Sequence, residues 1–255
     1  MTISIIGTGN VAYVLGQHLL DHGHVIKQVL GRNLASVNEA SRHLRASPGL
    51  LGESKIEPSD LIIIAVADQA VQEVVQSVGK INSPVVHTAG SLPMAMLAPM
   101  AADYGVLYPL QSLHKNNLTH QSIPFLIDAN QLTLLDQLGG LVQQLGCRSR
   151  QATDEDRLRY HLAAVCVNNL TNHIFDQVHH YCQSTALDFS MLQPLIEETA
   201  LRLRLGAPGQ FQTGPAVRGD QETLQKHVAL LNDHPSLASI YTLLTASIQA
   251  ARQPE

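Results

Sequence analysis

Six residues near the start of the chain, Gly7-Thr8-Gly9-Asn10-Val11-Ala12, carry small side chains at the spacing G-x-G-x-x-A. Placed between a strand and a helix, this spacing suits a pyrophosphate. Gly7 permits the tight turn, Gly9 lets the backbone approach an anion, and Ala12 allows close helix–strand packing. The free amides around Thr8, Asn10 and Val11, backed by the helix dipole, would favour that anion. Twenty residues past Ala12, where an acidic residue would take the ribose hydroxyls of NAD, stands Arg32, and no Asp or Glu occurs between Val25 and Asn38. A guanidinium can fork onto a 2′-phosphate, so NADP is expected over NAD, with Asn33 and Ser36 as further donors.

Two more segments fall where ligands of open α/β sheets sit, beyond the carboxyl ends of strands. They are Ala65-Val66-Ala67-Asp68 and His87-Thr88-Ala89-Gly90-Ser91. Small residues such as Thr88, Ala89 and Gly90 would let a nicotinamide ribose lie against the backbone. Asp68 and Ser91 suit equally the capping of the helices that follow. Farther on, Arg157, His161, Asn168 and Asn172 share one face of a helix at 100° per residue, over the compact Ala164 and Val165. His161 could donate a proton to a carbonyl oxygen or imine nitrogen as hydride arrives, and Asn168 could hold the substrate. A helix–helix interface would also accommodate these residues. In the loop Thr213–Asp220, Arg218 could reach a substrate carboxylate, while Asp220 could simply cap the next helix. His173, His179 and His180, the densest of the thirteen histidines, contain no i, i+4 pair; Asp176 completes a face, but packing or solvated histidines suit the pattern better than a metal site.

The elements that must position these groups change character along the chain. Strands are expected at Thr2–Ile6, Val25–Leu30, Leu61–Val66, Pro84–His87, Gly105–Tyr108, Ile123–Ile127 and Cys147–Arg150. Helices are expected at Val11–Leu20, Leu34–Leu44, Ala70–Val78, Leu92–Ala102 and Leu132–Leu145. This alternation predicts a mostly parallel, doubly wound α/β domain over residues 1–152. An all-α domain is expected over 153–255, opening with one helix over Asp154–Gln183 and continuing at Ser190–Leu205, Gly219–Leu231 and Ser236–Ala251. The first of these would be about 45 Å long. Its apolar residues cover more than one face, so a second copy of the chain is expected to bury the excess, giving a homodimer through the helical domain.

Composition narrows the class. Sixteen basic against 21 acidic residues leave a net charge of −5, which does not recruit nucleic acid or an anionic membrane surface. The longest apolar run, Leu61–Ala67, is seven residues and cannot span a bilayer. Three cysteines without framework spacing argue against disulfides or zinc. With no signal segment before the first strand, a cytoplasmic protein is expected.

The segments Ile6–Ala12, Val86–Pro93 (VHTAGSLP), Tyr108–Leu113 (YPLQSL), Tyr160–Asn169 (YHLAAVCVNN) and Thr213–Asp220 (TGPAVRGD) together resemble a family of two-domain candidate NADP oxidoreductases. In that family a Rossmann-like N-domain precedes a helical domain of unknown function. More distantly the layout is similar to pyrroline-5-carboxylate reductase, ketopantoate reductase and the 6-phosphogluconate and β-hydroxyacid dehydrogenases. The resemblance implies a C-terminal domain of the 6-phosphogluconate-dehydrogenase type, dimerising long helices and an active site between domains. YPLQSL falls where pyrroline-5-carboxylate reductases carry a substrate-side loop, which makes Gln111 and Ser112 candidates for binding substrate. No lysine shares the His161 face, so a lysine-centred mechanism does not transfer. The expectation is hydride transfer between NADP and a small C=O or C=N compound. A non-catalytic NADP sensor, or an enzyme pairing NADP with a deazaflavin, are the alternatives.

Overall fold

The computed structural model describes residues 1–116 and 122–251. They form two compact units, Met1–Val165 and Cys166 onward. The first is built on one eight-stranded sheet of order β3-β2-β1-β4-β5-β6-β7-β8. In chain order it runs β1 (Thr2–Ile6), α1 (Asn10–Asp21), β2 (Val25–Gly31), α2 (Leu34–His43), β3 (Ser47–Leu50), β4 (Leu61–Ile64), α3 (Asp68–Val78), β5 (Val85–His87), β6 (Tyr104–Pro109), β7 (Phe125–Ala129), α4 (Leu132–Gln144), β8 (Ser149–Gln151) and α5 (Asp154–Ala164). All pairings are parallel except β6–β7. The expected Rossmann-like α/β class is therefore observed.

Strand residues alternate between two buried layers. Ile3, Ile5, Leu61 and Ile63 pack with α1, α2 and α4, while Ile6, Ile62 and Ile64 pack with Val71, Val74 and Val75 of α3. Burial on both faces explains the unbroken apolar run of β4. The chain reverses sheet direction between β1 and β4, so a crevice opens above their carboxyl ends.

Two features of the sheet were not read from sequence, and two expected helices are corrected. Strand β3, Ser47-Pro48-Gly49-Leu50, escapes hydrophobic pattern reading because of its proline and glycine, which an edge strand tolerates. Strand β7 runs antiparallel to β6, since no helix among the described residues forms a crossover between them. The helix expected over Leu92–Ala102 is a single 3-10 turn, Met94–Leu97. The long helix expected over Asp154–Gln183 is α5, then a π-helical stretch Val165–Leu170, then α6 (Thr171–Ser184). A π turn advances differently per residue, so the 100° reckoning that aligned His161 with Asn168 does not carry across it.

The second unit holds most of that stretch and α6, followed by α7 (Gln193–Leu201), α8 (Pro215–Arg218), α9 (Gln221–Leu230) and α10 (Pro235–Ala250). Asp220 caps α9, accepting from the Thr223 amide at 3.1 Å. The chain's sequence break near residue 152 coincides with the start of α5. The first compact unit runs on to Val165, because Asp154 and Arg157 bond the backbone at Met94 and Leu92.

Gly7 has φ +135°, and a Cβ there would lie 2.2 Å from the Ala65 carbonyl oxygen. Gly7→Ala is expected to cost about 3 kcal/mol or more, combining backbone strain with overpacking. Thermal unfolding measures it; an unchanged Tm would show that β1 and β4 part without penalty.

Candidate functional site

The crevice above β1 and β4 has a volume of about 210 Å³ and is lined by Gly7, Thr8, Gly9, Arg32, Ala65, Val66, Ala67 and Glu73, among others. Gly7 donates its N–H to the Leu30 carbonyl at 2.8 Å, which fixes the turn as it leaves β1. Gly9 is the N-cap of α1 and supplies no capping side chain; no acidic residue follows in the first turn. The space where its Cβ would stand is open. These features leave the first amides and the positive end of the helix dipole facing an anion without competition. The residues present thus fit a dinucleotide pyrophosphate.

Arg32 stands at the crevice edge, where its guanidinium meets Glu73 of α3 at 2.9 Å. Asn33 caps α2: its Oδ1 accepts from the Ser36 amide and hydroxyl. Asn10 accepts the Lys115 amide on its Oδ1 at 3.2 Å, and Val11 packs toward the core, so neither side chain lines the crevice.

A second cluster forms beyond β4, β5 and β6 in the same unit. The Ser91 hydroxyl donates to Asp68 Oδ2 at 2.5 Å, linking the ends of β4 and β5, so neither side chain takes the capping role open to it. The N-caps of the elements that follow them are Ala67 and Pro93. Thr88 and Ala89 are buried: the Thr88 hydroxyl donates to the Ile64 carbonyl, and the Ala89 amide donates to His87 Nδ1. Gly90 permits the closest approach in this cluster, since a Cβ there would lie 2.7 Å from His161 Nδ1. His161 Nδ1 also stands 3.1 Å from the Tyr108 hydroxyl. Burial, helped by Asp68, raises the Tyr108 pKa above its ordinary value, so the phenol keeps its proton. The protonated phenol and His161 Nδ1 are thus placed to share one hydrogen bond, which the phenol is able to donate.

Behind this pair lie two groups that sequence spacing did not mark as partners. Arg157, one turn before His161, is 1% exposed, bonds the Leu92 carbonyl and pairs with Asp154 at 2.8 Å. His87 is fully buried, and its pKa falls to about 4 through burial first and the Arg157 charge second. Tyr108 was visible in sequence only as part of YPLQSL. Glu73 meets Arg32, and Arg157 the Leu92 carbonyl, from elements far apart in the chain, so linear spacing held no signal for these contacts.

Two further expected residues of the sheet-based unit do not join these clusters. Gln111 and Ser112 are exposed after β6, the Ser112 amide donating to Gln111 Oε1. Asn168 and Arg218 are exposed in the helical unit. His180 pairs with Asp176 at 3.6 Å, and His179 packs edge-on against Phe189. Among the described residues no helix is long and apolar enough to cross a membrane.

Residues 1–114 match the model of a Rossmann-like domain, and residues 123–248 match a domain of unknown function, DUF2520. A putative NADP oxidoreductase from Bacteroides fragilis is 33% identical, with 98% of each chain covered and a TM-score of 0.90. The chain belongs to this two-domain family. A reductive aminase from Aspergillus terreus, solved with NADPH and ethyl-5-oxohexanoate, shares the fold at 15% identity (TM-score 0.69; 98% of this chain and 93% of that one). So does 1-pyrroline-5-carboxylate reductase from Streptococcus pyogenes at 13% identity (TM-score 0.64; 98% of each chain). A search of curated proteins found no match.

The depressed His87 sets a pH dependence. An unfolded imidazole titrates at 6.5 and folded His87 at about 4. Between these values only the unfolded chain takes the proton, so stability falls as pH drops from 6.5 toward 4. His87→Asn keeps an acceptor for the Ala89 amide and removes the titration. Relative to wild type, the acid loss of stability should shrink by roughly 3 kcal/mol by pH 4 in urea unfolding. An equally steep loss would assign the acid sensitivity to other groups.

Proposed function

We propose that this chain is an oxidoreductase that uses NADP in preference to NAD to move a hydride to or from a small C=O or C=N compound. The observation that carries this reading is the meeting of two features at the carboxyl ends of one sheet: the uncapped Gly7–Gly9 crevice and the His161–Tyr108 pair closed on Gly90. The description of the Bacteroides relative supports it. Gly7, Thr8, Gly9 and the first amides of α1 would hold the pyrophosphate, Arg32 and Asn33 the 2′-phosphate, and Ala65–Asp68 with Thr88–Gly90 the nicotinamide side. The bound cofactor would supply the hydride. His161 would give or take the proton at Nε2, while Tyr108 fixes the tautomer through Nδ1. Gln111 and Ser112 are offered as substrate contacts on the family resemblance of YPLQSL, and Asn168 and Arg218 on their sequence positions.

The test is a screen of small ketones, aldehydes and cyclic imines against the purified protein with NADPH, followed by absorbance, aerobically and anaerobically. On any substrate found, His161→Ala should lower turnover about 100-fold or more while leaving NADP affinity nearly unchanged, because proton transfer acts in the transition state. Undiminished turnover removes His161 from the chemistry.

Homodimerisation through the helical unit belongs to the same reading. Val167, Met191, Leu195, Leu205 and Leu243 are at least 60% exposed in the single chain, whereas among the described residues of that unit only Cys182, Ala216, Leu224 and Leu231 are buried apolar ones. So much open apolar surface marks an interface. Sedimentation at micromolar concentration should show a dimer; a monomer of 27.7 kDa would count against it.

A further inference from the structure

We propose that Glu73 is a specificity-determining residue of the dinucleotide crevice, holding Arg32 until a 2′-phosphate displaces it. The inference rests on the reading of the crevice as an NADP site. Arg32 follows β2 and Glu73 lies on α3 after β4, so their 2.9 Å ion pair joins the two sides of the crevice across the end of β1. Both residues line the same cavity as Gly7 and Gly9. Their side chains are 67% and 59% exposed, so an incoming group can reach either.

The chemistry of the two dinucleotides differs at this pair. A 2′-phosphate that forks onto Arg32 takes the donors that Glu73 now uses, and its charge repels the carboxylate beside it. A 2′-hydroxyl carries no charge and can donate to a carboxylate. Glu73 therefore supplies, from α3, the acidic group that is absent from the end of β2. It opposes NADP and favours NAD, so the preference set by Arg32 is narrower than Arg32 alone would give. An exposed ion pair is weak, which keeps the bridge displaceable.

Titration of NADP⁺ and NAD⁺ into the full chain by calorimetry tests this without any substrate. Glu73→Gln removes the charge and keeps the shape on an exposed helix position; unchanged thermal unfolding confirms the fold. The ratio of the two dissociation constants should move toward NADP⁺ by about fivefold, the scale of one exposed ion pair. In an Arg32→Ala background the same substitution should move the ratio by less, because the ion pair is already gone and only the direct repulsion and the hydroxyl contact remain. An unchanged ratio in Glu73→Gln, a move toward NAD⁺, or a shift that is just as large without Arg32 overturns the proposal while leaving dinucleotide binding intact. A wild-type chain that binds neither nucleotide overturns the functional reading itself, and the role of Glu73 with it.

Discussion

The backbone contact between Gly7 and Ala65 is the constraint on which the crevice depends. Strand β1 is held on one side by the Gly7 amide on Leu30 and on the other by the Ala65 amide on Ile6, both at 2.8 Å. The chain must then turn sharply out of the sheet, and the turn leaves no room for a side chain against the Ala65 carbonyl. Only a residue without Cβ meets both the contact and the positive φ. The rest follows from that placement. Because Gly7 sits against the sheet, Gly9 opens α1 directly over the end of β1. The helix then presents uncapped amides to the space that β1 and β4 leave between them.

A second anchor operates at the other end of the site, by electrostatics rather than sterics. Burying a guanidinium is costly unless it is paired, and two nitrogens of Arg157 have no hydrogen-bond partner. Its Asp154 partner and the Leu92 carbonyl offset part of that cost. Asp154 also accepts the Met94 amide, so α5 is tied twice to the segment that follows β5. His161 stands one helical turn beyond Arg157, and this tie sets its ring against Gly90 and the Tyr108 hydroxyl. The same buried cation helps to keep His87 neutral beneath the loop. A hydrophobic residue at 157 could pack as well, but it could neither bond the Leu92 carbonyl nor pair with the Asp154 carboxylate that holds Met94.

How much of this was legible depends on whether the signal is local. The glycine turn, the apolar run of β4 and the helices α1, α3 and α4 write their reasons into adjacent residues, so their places could be read from sequence. Strand β3 could not, because its pairing with β2 overrides the poor strand propensity of Pro48 and Gly49. The 3-10 turn at Met94–Leu97 is shorter than its apolar pattern suggests, with its backbone diverted to Asp154. His161 and Arg32 were singled out by helix face and by spacing, yet their partners were not: Tyr108 lies 53 residues from His161 and Glu73 lies 41 from Arg32. Pairings of that separation are created by the sheet order, and no periodicity encodes them.

The helical unit poses a problem of a different kind. Ordering a residue costs about 1–2 kcal/mol of backbone entropy, and a unit of this length must offset a total on the order of 100 kcal/mol, largely by apolar burial. Its four buried apolar residues, one of them an alanine, fall far short of what the sheet-based unit assembles on its two faces. The sequence is nonetheless rich in leucine there, and the leucines of α7 and the turn after it, Leu195, Leu201, Leu203 and Leu205, all remain exposed. Apolar residues distributed around a helix, rather than in one stripe, belong to a helix covered on several sides. Under the dimer proposed above, the helical unit would be half of a packing solution, with apolar surface of comparable extent as the other half. An identical surface would meet that requirement through two-fold symmetry, because every leucine offered by one copy would be met by the same patch on the other.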